Sequence, residues 1–238
     1  DGDAAIRRFF RDMGLMAGAI LVMVTAANAL VFAAGWVGSS LALASLVAHR
    51  RSWPAARASA RRTALFLAVG DAALVLAALV AVAAFGTADI ATMAAAATAR
   101  AGEPAVVAVS ALLVVAALAK SAQLPLAGWL PETMTAPTPV SGLMHAGFVN
   151  AGGYLLARFA DLFTAQPALL AVLFVLGAAT ALVGSLAMLV QNDVKRALGW
   201  STVGQMGFMV MQCGLGAFAA AIYHLVAHGI FKATLFLG

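Results

Sequence analysis

The sequence has little charge and a single cysteine, and both shortages restrict what the protein can be. Of its 238 residues, 10% are charged and 64% are hydrophobic, with a mean hydropathy of +1.00. Soluble domains carry about 25% charged residues, so a water-soluble domain is excluded. The single cysteine, Cys213, excludes an internal disulfide and a cysteine-based metal site. The composition therefore predicts an all-α, polytopic membrane helix bundle.

A cleavable signal is also missing, because the N-terminal DGDAAIRRFFRD lacks the small-residue cleavage pattern. The net charge of +5 is better explained by basic cytoplasmic loops than by nucleic acid, so we expect membrane lipid around the chain and no nucleic-acid partner. The chain starts in a charged loop and ends at Gly238, directly after an apolar run. We therefore expect a fragment of a larger bundle.

Long apolar runs divide the chain into spans. A spanning helix needs about 20 apolar residues, and the first run, Met13–Ala48, has 36, or about 54 Å as a helix. We predict two helices here, with a tight turn near Thr25–Asn28. Further spans are predicted at Ala64–Phe85, Pro104–Gln123, Thr138–Phe159, Ala168–Gln191, Ala197–Gln212 and Ala217–Gly238. The chain then has about eight transmembrane helices.

Basic residues are unevenly distributed among the loops. Ten of the fourteen Lys and Arg residues lie in three segments that eight spans place on one side: Arg7, Arg8, Arg11, Arg50, Arg51, Arg57, Arg61, Arg62, Lys195 and Arg196. Because cytoplasmic loops are enriched in basic residues, we predict that this side is cytoplasmic. Loops do not explain the other two lysines, Lys120 and Lys232.

Lys120 opens a polar, proline-rich stretch, KSAQLPLAGWLPETMTAPTPV. Its polar and helix-breaking residues are Ser121, Gln123, Pro125, Glu132, Pro137 and Pro139. Pro125 has no N–H to donate to the carbonyl of Ser121, which predicts an interrupted helix. A membrane tolerates such a break where protein or water surrounds it, and transporters build ion sites there. We predict a hydrated path at Lys120; the alternative is that this side chain extends to the interface.

Further ionisable residues lie inside predicted spans, where they are functional candidates. His145 could relay protons or simply hydrogen-bond to a neighbouring helix. Asp71 is the one acid deep in the third span, and Lys120 is a plausible partner for it. Glu132 could serve as a second acid or face the interface.

The last span carries three titratable residues on one helix face. His224, His228 and Lys232 are spaced i, i+4 and i+8, about 6 Å apart per step. This series resembles a proton wire more than a packing device. A zinc site is disfavoured, because the hydrolytic motif needs Glu where the chain has Leu225, and no ligand set is completed.

Three stretches resemble one family. KSAQLPLAGWLPETMTAPTPVSGLMHA, NDVKRALGWSTVGQMGFM and HLVAHGIFKATLFL are similar, in this order, to segments of the antiporter-like membrane subunits. These include the large proton-pumping subunits of respiratory complex I and the large subunits of multisubunit sodium/proton antiporters. The resemblance extends over the domain 1–238 and implies a fourteen-helix parent with two inverted five-helix repeats, the first at 13–159 and part of the second at 168–238.

The resemblance also implies roles for individual residues. Lys120 matches the lysine at the family's discontinuous helix. The residues that match its central polar chain are His145, Lys195, His224, His228 and Lys232. One departure is that the family usually has GWE where this chain has Gly35, Trp36 and Val37. The usual glutamate partner of the lysine is therefore missing, unless Asp71 substitutes.

MHAGFVNAGGYLLARF, at residues 144–159, resembles the DabB-like branch of the family, the membrane subunits of DAB inorganic-carbon accumulation complexes. That resemblance implies a subunit of a bacterial inner membrane that conducts a cation. It also implies a soluble DabA-like partner, similar to a zinc-dependent β-carbonic anhydrase, that hydrates CO2 to bicarbonate. We expect no enzymatic activity, metal or cofactor in this chain itself, and zinc in the partner.

Three other functions stay open. The chain could be a proton-conducting subunit of complex I or a membrane hydrogenase, with iron–sulfur partners. It could be a subunit of a sodium/proton antiporter, or a structural subunit whose polar residues only pack. A chain of lysines and histidines favours protons as the conducted ion, because cationic groups do not coordinate sodium.

Overall fold

The computed structural model describes residues 5–238, and this part of the chain is a bundle of helices. The α-helices are α1 Ile6–Thr25, α2 Ala29–Val47, α3 Pro54–Phe85, α4 Ile90–Ala99, α5 Pro104–Lys120, α6 Thr138–Ala146, α7 Ala151–Arg158, α8 Ala160–Thr164, α9 Pro167–Leu189, α10 Val194–Gly214 and α11 Phe218–Leu237. Two 3₁₀ segments, Leu126–Thr135 and Phe148–Asn150, connect α5 to α6 and α6 to α7. The predicted all-α fold is confirmed.

The first apolar run forms a hairpin of two helices, as predicted. The helix α1 ends at Thr25, and α2 begins at Ala29 after the N-cap Asn28, whose side chain accepts hydrogen bonds from two backbone N–H groups of α2. Gly35 lets the two helices approach closely, since a Cβ there would lie 2.8 Å from the carbonyl oxygen of Ala19. Backbone chemistry at the turn and small residues at the contact thus form the hairpin.

The predicted helix break follows Lys120. The helix α5 ends there, Ala122 has a φ of +49°, and the N–H of Gln123 closes the helix on the carbonyl of Leu118. This is the hydrogen-bond pattern of a Schellman C-cap. The chain then continues through the 3₁₀ segment Leu126–Thr135 before α6 begins.

Other element boundaries differ from the prediction. The third helix begins at Pro54, not at Ala64, because a proline at its first turn starts a basic, interfacial extension of the apolar span. The predicted continuous span Thr138–Phe159 is broken between α6 and α7, at Gly147. No helix was predicted at α4. The sequence pattern predicts where the apolar stretches lie. Helix caps and a glycine decide where the helices begin, break and end.

All eight predicted spans are helical, although their lengths differ. Four helices within residues 5–238 are long and apolar enough to cross a membrane by length and composition, namely α2, α3, α9 and α11. The helices α1 and α10 are of similar length but more polar, and α5 is shorter because it stops at the break. The architecture is that of a multi-pass membrane protein.

The three basic segments lie on one face of the bundle. Arg8 Nη2 donates to the carbonyl of His49 at 2.6 Å, and Lys195 Nζ donates to that of Ala136 at 2.9 Å. A cavity of about 530 Å³ is lined by residues of all three segments. At the opposite face, Arg158 Nη2 donates to the carbonyl of Ala26 at 3.1 Å. The grouping of the basic segments agrees with the predicted sidedness.

Candidate functional site

Lys120 is buried at the end of α5, with 1% of its surface exposed. Its Nζ donates hydrogen bonds to the carbonyl oxygen of Trp36 at 2.8 Å, to Ser39 Oγ at 3.0 Å and to Ser40 Oγ at 2.7 Å. A buried ammonium is costly unless its three protons have acceptors. Here three oxygens of α2 supply all of them, so the lysine points into the bundle and not toward the interface.

Asp71 supplies the carboxylate nearest to this lysine. Its Oδ1 lies 3.9 Å from Lys120 Nζ, and Ser40 Oγ donates to the same oxygen at 2.9 Å. Gly70 makes the approach possible, since a Cβ there would lie 2.7 Å from the Cβ of Ala119 on α5. The sequence-based pairing of Asp71 with Lys120 therefore agrees with the structure, but a hydroxyl bridges the two groups. We call Lys120, Trp36, Ser39, Ser40 and Asp71 the lysine cluster.

Two aromatic rings complete the surroundings of the ammonium. Lys120 Nζ lies 4.6 Å from the ring centroid of Trp36 and 4.3 Å from that of Phe148. Both distances are within the range of cation–π attraction, which strengthens when water is excluded.

Several side chains form hydrogen bonds with backbone groups around the break. Ser121 Oγ donates to the carbonyl of Val149 at 2.6 Å, and the side chain of Gln123 donates to the carbonyl of Ser121 at 2.7 Å. The N–H of Leu124, next to Pro125, donates to Thr180 Oγ1 at 3.1 Å. Two side chains of the break itself and Thr180 of α9 thus bond to backbone groups near the interruption, as a membrane interior requires.

The other break residues lie toward the basic face. Glu132 forms a bidentate pair with Arg62 Nη1 at 2.8 and 2.9 Å, and its side chain is 37% exposed. It therefore lies at the surface and outside the lysine cluster. Pro137 and Pro139 stand at the start of α6 and line the 530 Å³ cavity.

The helix α11 carries the second group of titratable residues. His224 Nδ1 lies 3.3 Å from Gln212 Oε1, and Lys232 Nζ donates to the carbonyl of Leu198 at 3.2 Å, both on α10. The rings of His224 and His228 are 6.2 Å apart. Neither ring nitrogen of His228 has a protein partner, although the residue is buried. The three residues follow one side of α11, as their spacing predicts.

His145 and Lys195 lie beside this helix. The ring of His145 stacks on that of Phe236 at 4.8 Å, and its Nδ1 has no protein partner. Lys195 lies in the first turn of α10, and its Nζ donates to the carbonyl of Ala136, the residue after the 3₁₀ segment. Within residues 5–238 no protein hydrogen bond joins Lys120 to His145, and Phe148 lies next to the lysine. In the described residues, Lys120 and Asp71 thus form one group of titratable residues, and the residues of α11 with His145 and Lys195 form a second.

No group of three His, Cys, Asp or Glu side chains in the described part of the chain could hold a metal ion. Cys213 is a free, buried thiol. The chemistry that these residues support is proton exchange among lysine, carboxylate, hydroxyl and imidazole groups.

Sequence reasoning missed the two serines of the lysine cluster. Ser39 and Ser40 follow Val37 within one turn and provide two of the lysine's three acceptors. A pair of hydroxyls in an otherwise apolar span was the available signal. Phe148 was missed as well, since an aromatic residue in a membrane helix carries no distinguishing pattern.

A buried lysine–aspartate pair at a broken helix, followed by a helix with two histidines and a lysine, defines an antiporter-like class of membrane protein. The chain belongs to the family described as NADH:quinone oxidoreductase/Mrp antiporter, TM, whose model matches residues 26–238. The resemblance drawn from the three sequence stretches is confirmed.

Relatives whose names state different functions match the chain. It is 48% identical over 237 residues to the "Probable inorganic carbon transporter subunit DabB1" of Halothiobacillus neapolitanus, covering 97% of the chain and 42% of that protein. It is 39% identical over 235 residues to NADH-quinone oxidoreductase subunit L of Mycobacterium tuberculosis, covering 98% and 37%. The chain thus spans less than half the length of these relatives.

A solved structure has the same fold. The Mrp complex from Dietzia sp. DQ12-45-1b matches with a TM-score of 0.90 and 34% identity, over 94% of this chain and 25% of the matched chain. The antiporter-like architecture is therefore shared over nearly all of the described residues.

Proposed function

We propose that this chain is the cation-conducting part of a membrane subunit that energises the accumulation of inorganic carbon. The observation that carries the conducting role is the lysine cluster, where a buried ammonium lies 3.9 Å from a carboxylate at a broken helix. The carbon-accumulating role is supported by 48% identity to the inorganic carbon transporter subunit DabB1. The conducted ion is a proton, because lysine and histidine exchange protons but do not coordinate sodium.

The proposed path has two parts. Protons exchange within the lysine cluster and within the series His224, His228 and Lys232, with His145 and Lys195 beside the second part. Because no protein hydrogen bond joins Lys120 to His145 within residues 5–238, transfer between the two parts needs water molecules or a movement of side chains. Interrupted backbone around Lys120 suits such a hydrated region.

The chemistry of CO2 hydration belongs to a partner in this proposal. The resemblance to the DabB-like branch suggests a soluble, DabA-like subunit similar to a zinc-dependent carbonic anhydrase. Proton movement through the membrane subunit, in the inner membrane of a bacterium, would make hydration to bicarbonate effectively one-way. This chain itself would act as a transporter subunit and not as an enzyme.

The second candidate function is that of a pumping subunit in a complex I-like oxidoreductase or membrane hydrogenase, or of a sodium/proton antiporter subunit. The 39% identity to subunit L and the shared fold with the Mrp complex favour this group. Purification of the full-length parent in mild detergent, followed by mass spectrometry, separates the candidates. A zinc protein similar to carbonic anhydrase supports the proposal, whereas iron–sulfur or antiporter subunits contradict it.

Substitution tests the path directly. We expect Lys120→Ala or His228→Ala to reduce carbon accumulation by cells at air levels of CO2 by at least about tenfold, because each removes a positioned proton carrier. Assembly of the complex should survive. Arg61→Ala, which removes an exposed cation outside both groups, is the matched control. Normal accumulation by the Lys120 variant would overturn the proposed path.

A further inference from the structure

Ser40 occupies the position between the two charged groups of the lysine cluster. Its Oγ lies 2.7 Å from Lys120 Nζ and 2.9 Å from Asp71 Oδ1. An ammonium can only donate hydrogen bonds, and an ionised carboxylate can only accept them. Ser40 Oγ must therefore accept a hydrogen bond from the ammonium of Lys120 and donate its own hydrogen bond to the carboxylate of Asp71. A directed chain, Lys120 to Ser40 to Asp71, follows from the chemistry of the three groups.

The direct contact between the charges does not provide this connection. Lys120 Nζ and Asp71 Oδ1 are 3.9 Å apart, which is beyond hydrogen-bonding distance. The ammonium already donates its three protons to Trp36, Ser39 and Ser40. Of the three acceptor oxygens, Ser40 Oγ is the one that also donates a hydrogen bond to the carboxylate.

We propose that Ser40 is the proton relay between Lys120 and Asp71. This inference rests on the proposed function, in which the lysine cluster exchanges protons. In the forward step, an N–H bond of Lys120 breaks and its proton bonds to Ser40 Oγ. At the same time the O–H bond of Ser40 breaks and its proton bonds to Asp71 Oδ1. The products are a neutral amine, an intact hydroxyl and a neutral carboxylic acid, so protons and charges balance.

The hydroxyl also has a way to reset. Ser40 Oγ lies 3.5 Å from the carbonyl oxygen of Trp36, one turn earlier on α2. After transfer, the new hydroxyl proton can rotate toward this second acceptor, because an O–H turns freely about its C–O bond. The oxygen is then able to donate to Asp71 again once that carboxyl has released its proton. Ser40 therefore has two orientations, one for each state of Asp71.

Ser39 provides a matched control within the same cluster. It too is buried and accepts from Lys120, at 3.0 Å, but its hydroxyl donates to the carbonyl of Trp36 at 2.7 Å and not to Asp71. Ser39→Ala and Ser40→Ala each remove one hydroxyl acceptor from the lysine. Their effects on stability should be similar, but Ser40→Ala alone removes the bridge.

The experiment measures proton flux by the complete complex, reconstituted in liposomes with an internal pH-sensitive dye. We expect Ser40→Ala to lower the flux at least about tenfold, as for loss of a positioned proton carrier. Ser39→Ala should lower it by no more than about threefold, since two acceptors remain. Ser40→Thr, which retains a hydroxyl, should restore most of the flux. Apparent Tm values of the two alanine variants should agree.

A double substitution distinguishes relay from packing. Asp71→Asn should reduce flux as much as Ser40→Ala, and the combined variant should lose no more than either one, because both interrupt the same transfer. Equal flux for the Ser39 and Ser40 alanine variants, or additive losses in the double variant, would overturn the relay. Full flux in Lys120→Ala would instead overturn the proposed function.

Discussion

At the level of single residues, the lysine cluster has its carboxylate on α3, as the alternative with Asp71 predicted, and not on α2. The family resemblance predicts a glutamate at position 37 of α2, where this chain has valine. The structure provides Asp71 of α3 instead, and Ser40 of α2 joins it to Lys120. The carboxylate that faces the lysine therefore lies on α3 and not on α2. The lysine still forms its hydrogen bonds with α2.

This arrangement predicts the effect of restoring a carboxylate at the usual position. Position 37 is one turn before Ser40, and such i, i+3 neighbours share a helix face. We expect Val37→Glu to reduce proton flux several-fold, because a second carboxylate within reach of Lys120 would hold the ammonium in its charged form. The measurement is the liposome assay, with Val37→Gln as a control of equal size. Equal flux for the two variants would contradict this account.

The pairing of Lys120 with Asp71 was predictable, because two opposite charges in apolar helices have few other partners. The two serines were not, because their role depends on the register of α2 against α5. The hydroxyl of a serine in a membrane helix can also donate to a backbone carbonyl one turn earlier in the same helix, as Ser110 Oγ does to the carbonyl of Val106 at 2.8 Å. The sequence does not separate these two uses.

At the level of elements, chain breaks were predictable where proline causes them. Pro125 indicated the end of α5, and the helix stops five residues earlier. The break at Gly147 between α6 and α7 was not predicted, since glycine in a membrane helix usually indicates close packing. The prediction failed because the same residue type serves packing and interruption.

Glycine packing gives a test of how α9 and α10 associate. A Cβ at Gly184 would lie 2.5 Å from the backbone nitrogen of Gly204 and 2.7 Å from its Cα. We expect Gly184→Ala to destabilise the protein by about 1–3 kcal/mol, because two backbones must separate. The measurement is the apparent Tm of the purified parent in detergent.

The matched control for this substitution lies on α1. A Cβ at Gly18 would meet no atom within 4 Å. We expect Gly18→Ala to leave the Tm unchanged or slightly higher, because alanine favours helix over glycine by about 1 kcal/mol. A Tm loss of the same size at both positions would show that the close α9–α10 contact is not the cause.

At the level of the whole molecule, counting basic residues predicted which loops lie on the same side of the membrane. The sequence placed ten cations on one side without information on packing, and the structure brings their segments together around one cavity. The inverted repeats, at 13–159 and 168–238, stay a prediction. The chain covers 42% of the length of the related DabB1 protein.

The orientation in the membrane can be measured by cysteine labelling in a parent that carries no other cysteine. Arg51 is exposed on the basic face, and Gly102 is exposed on the opposite face. We expect a membrane-impermeant maleimide added to intact cells to label Gly102→Cys but not Arg51→Cys, because basic loops stay in the cytoplasm. Lysed cells should show labelling of both, and the reverse pattern in intact cells would invert the predicted topology.

The position of Lys120 as the last residue of α5 has an electrostatic consequence. Aligned peptide dipoles leave about half a negative elementary charge at the C-terminal end of a helix. Since α5 stops inside the protein, this partial charge lies at the backbone of the residue that carries the ammonium, where solvent screens it weakly. It belongs to the backbone and cannot be neutralised by a proton. The break therefore gives the lysine a permanent counter-charge, which persists when Asp71 becomes neutral.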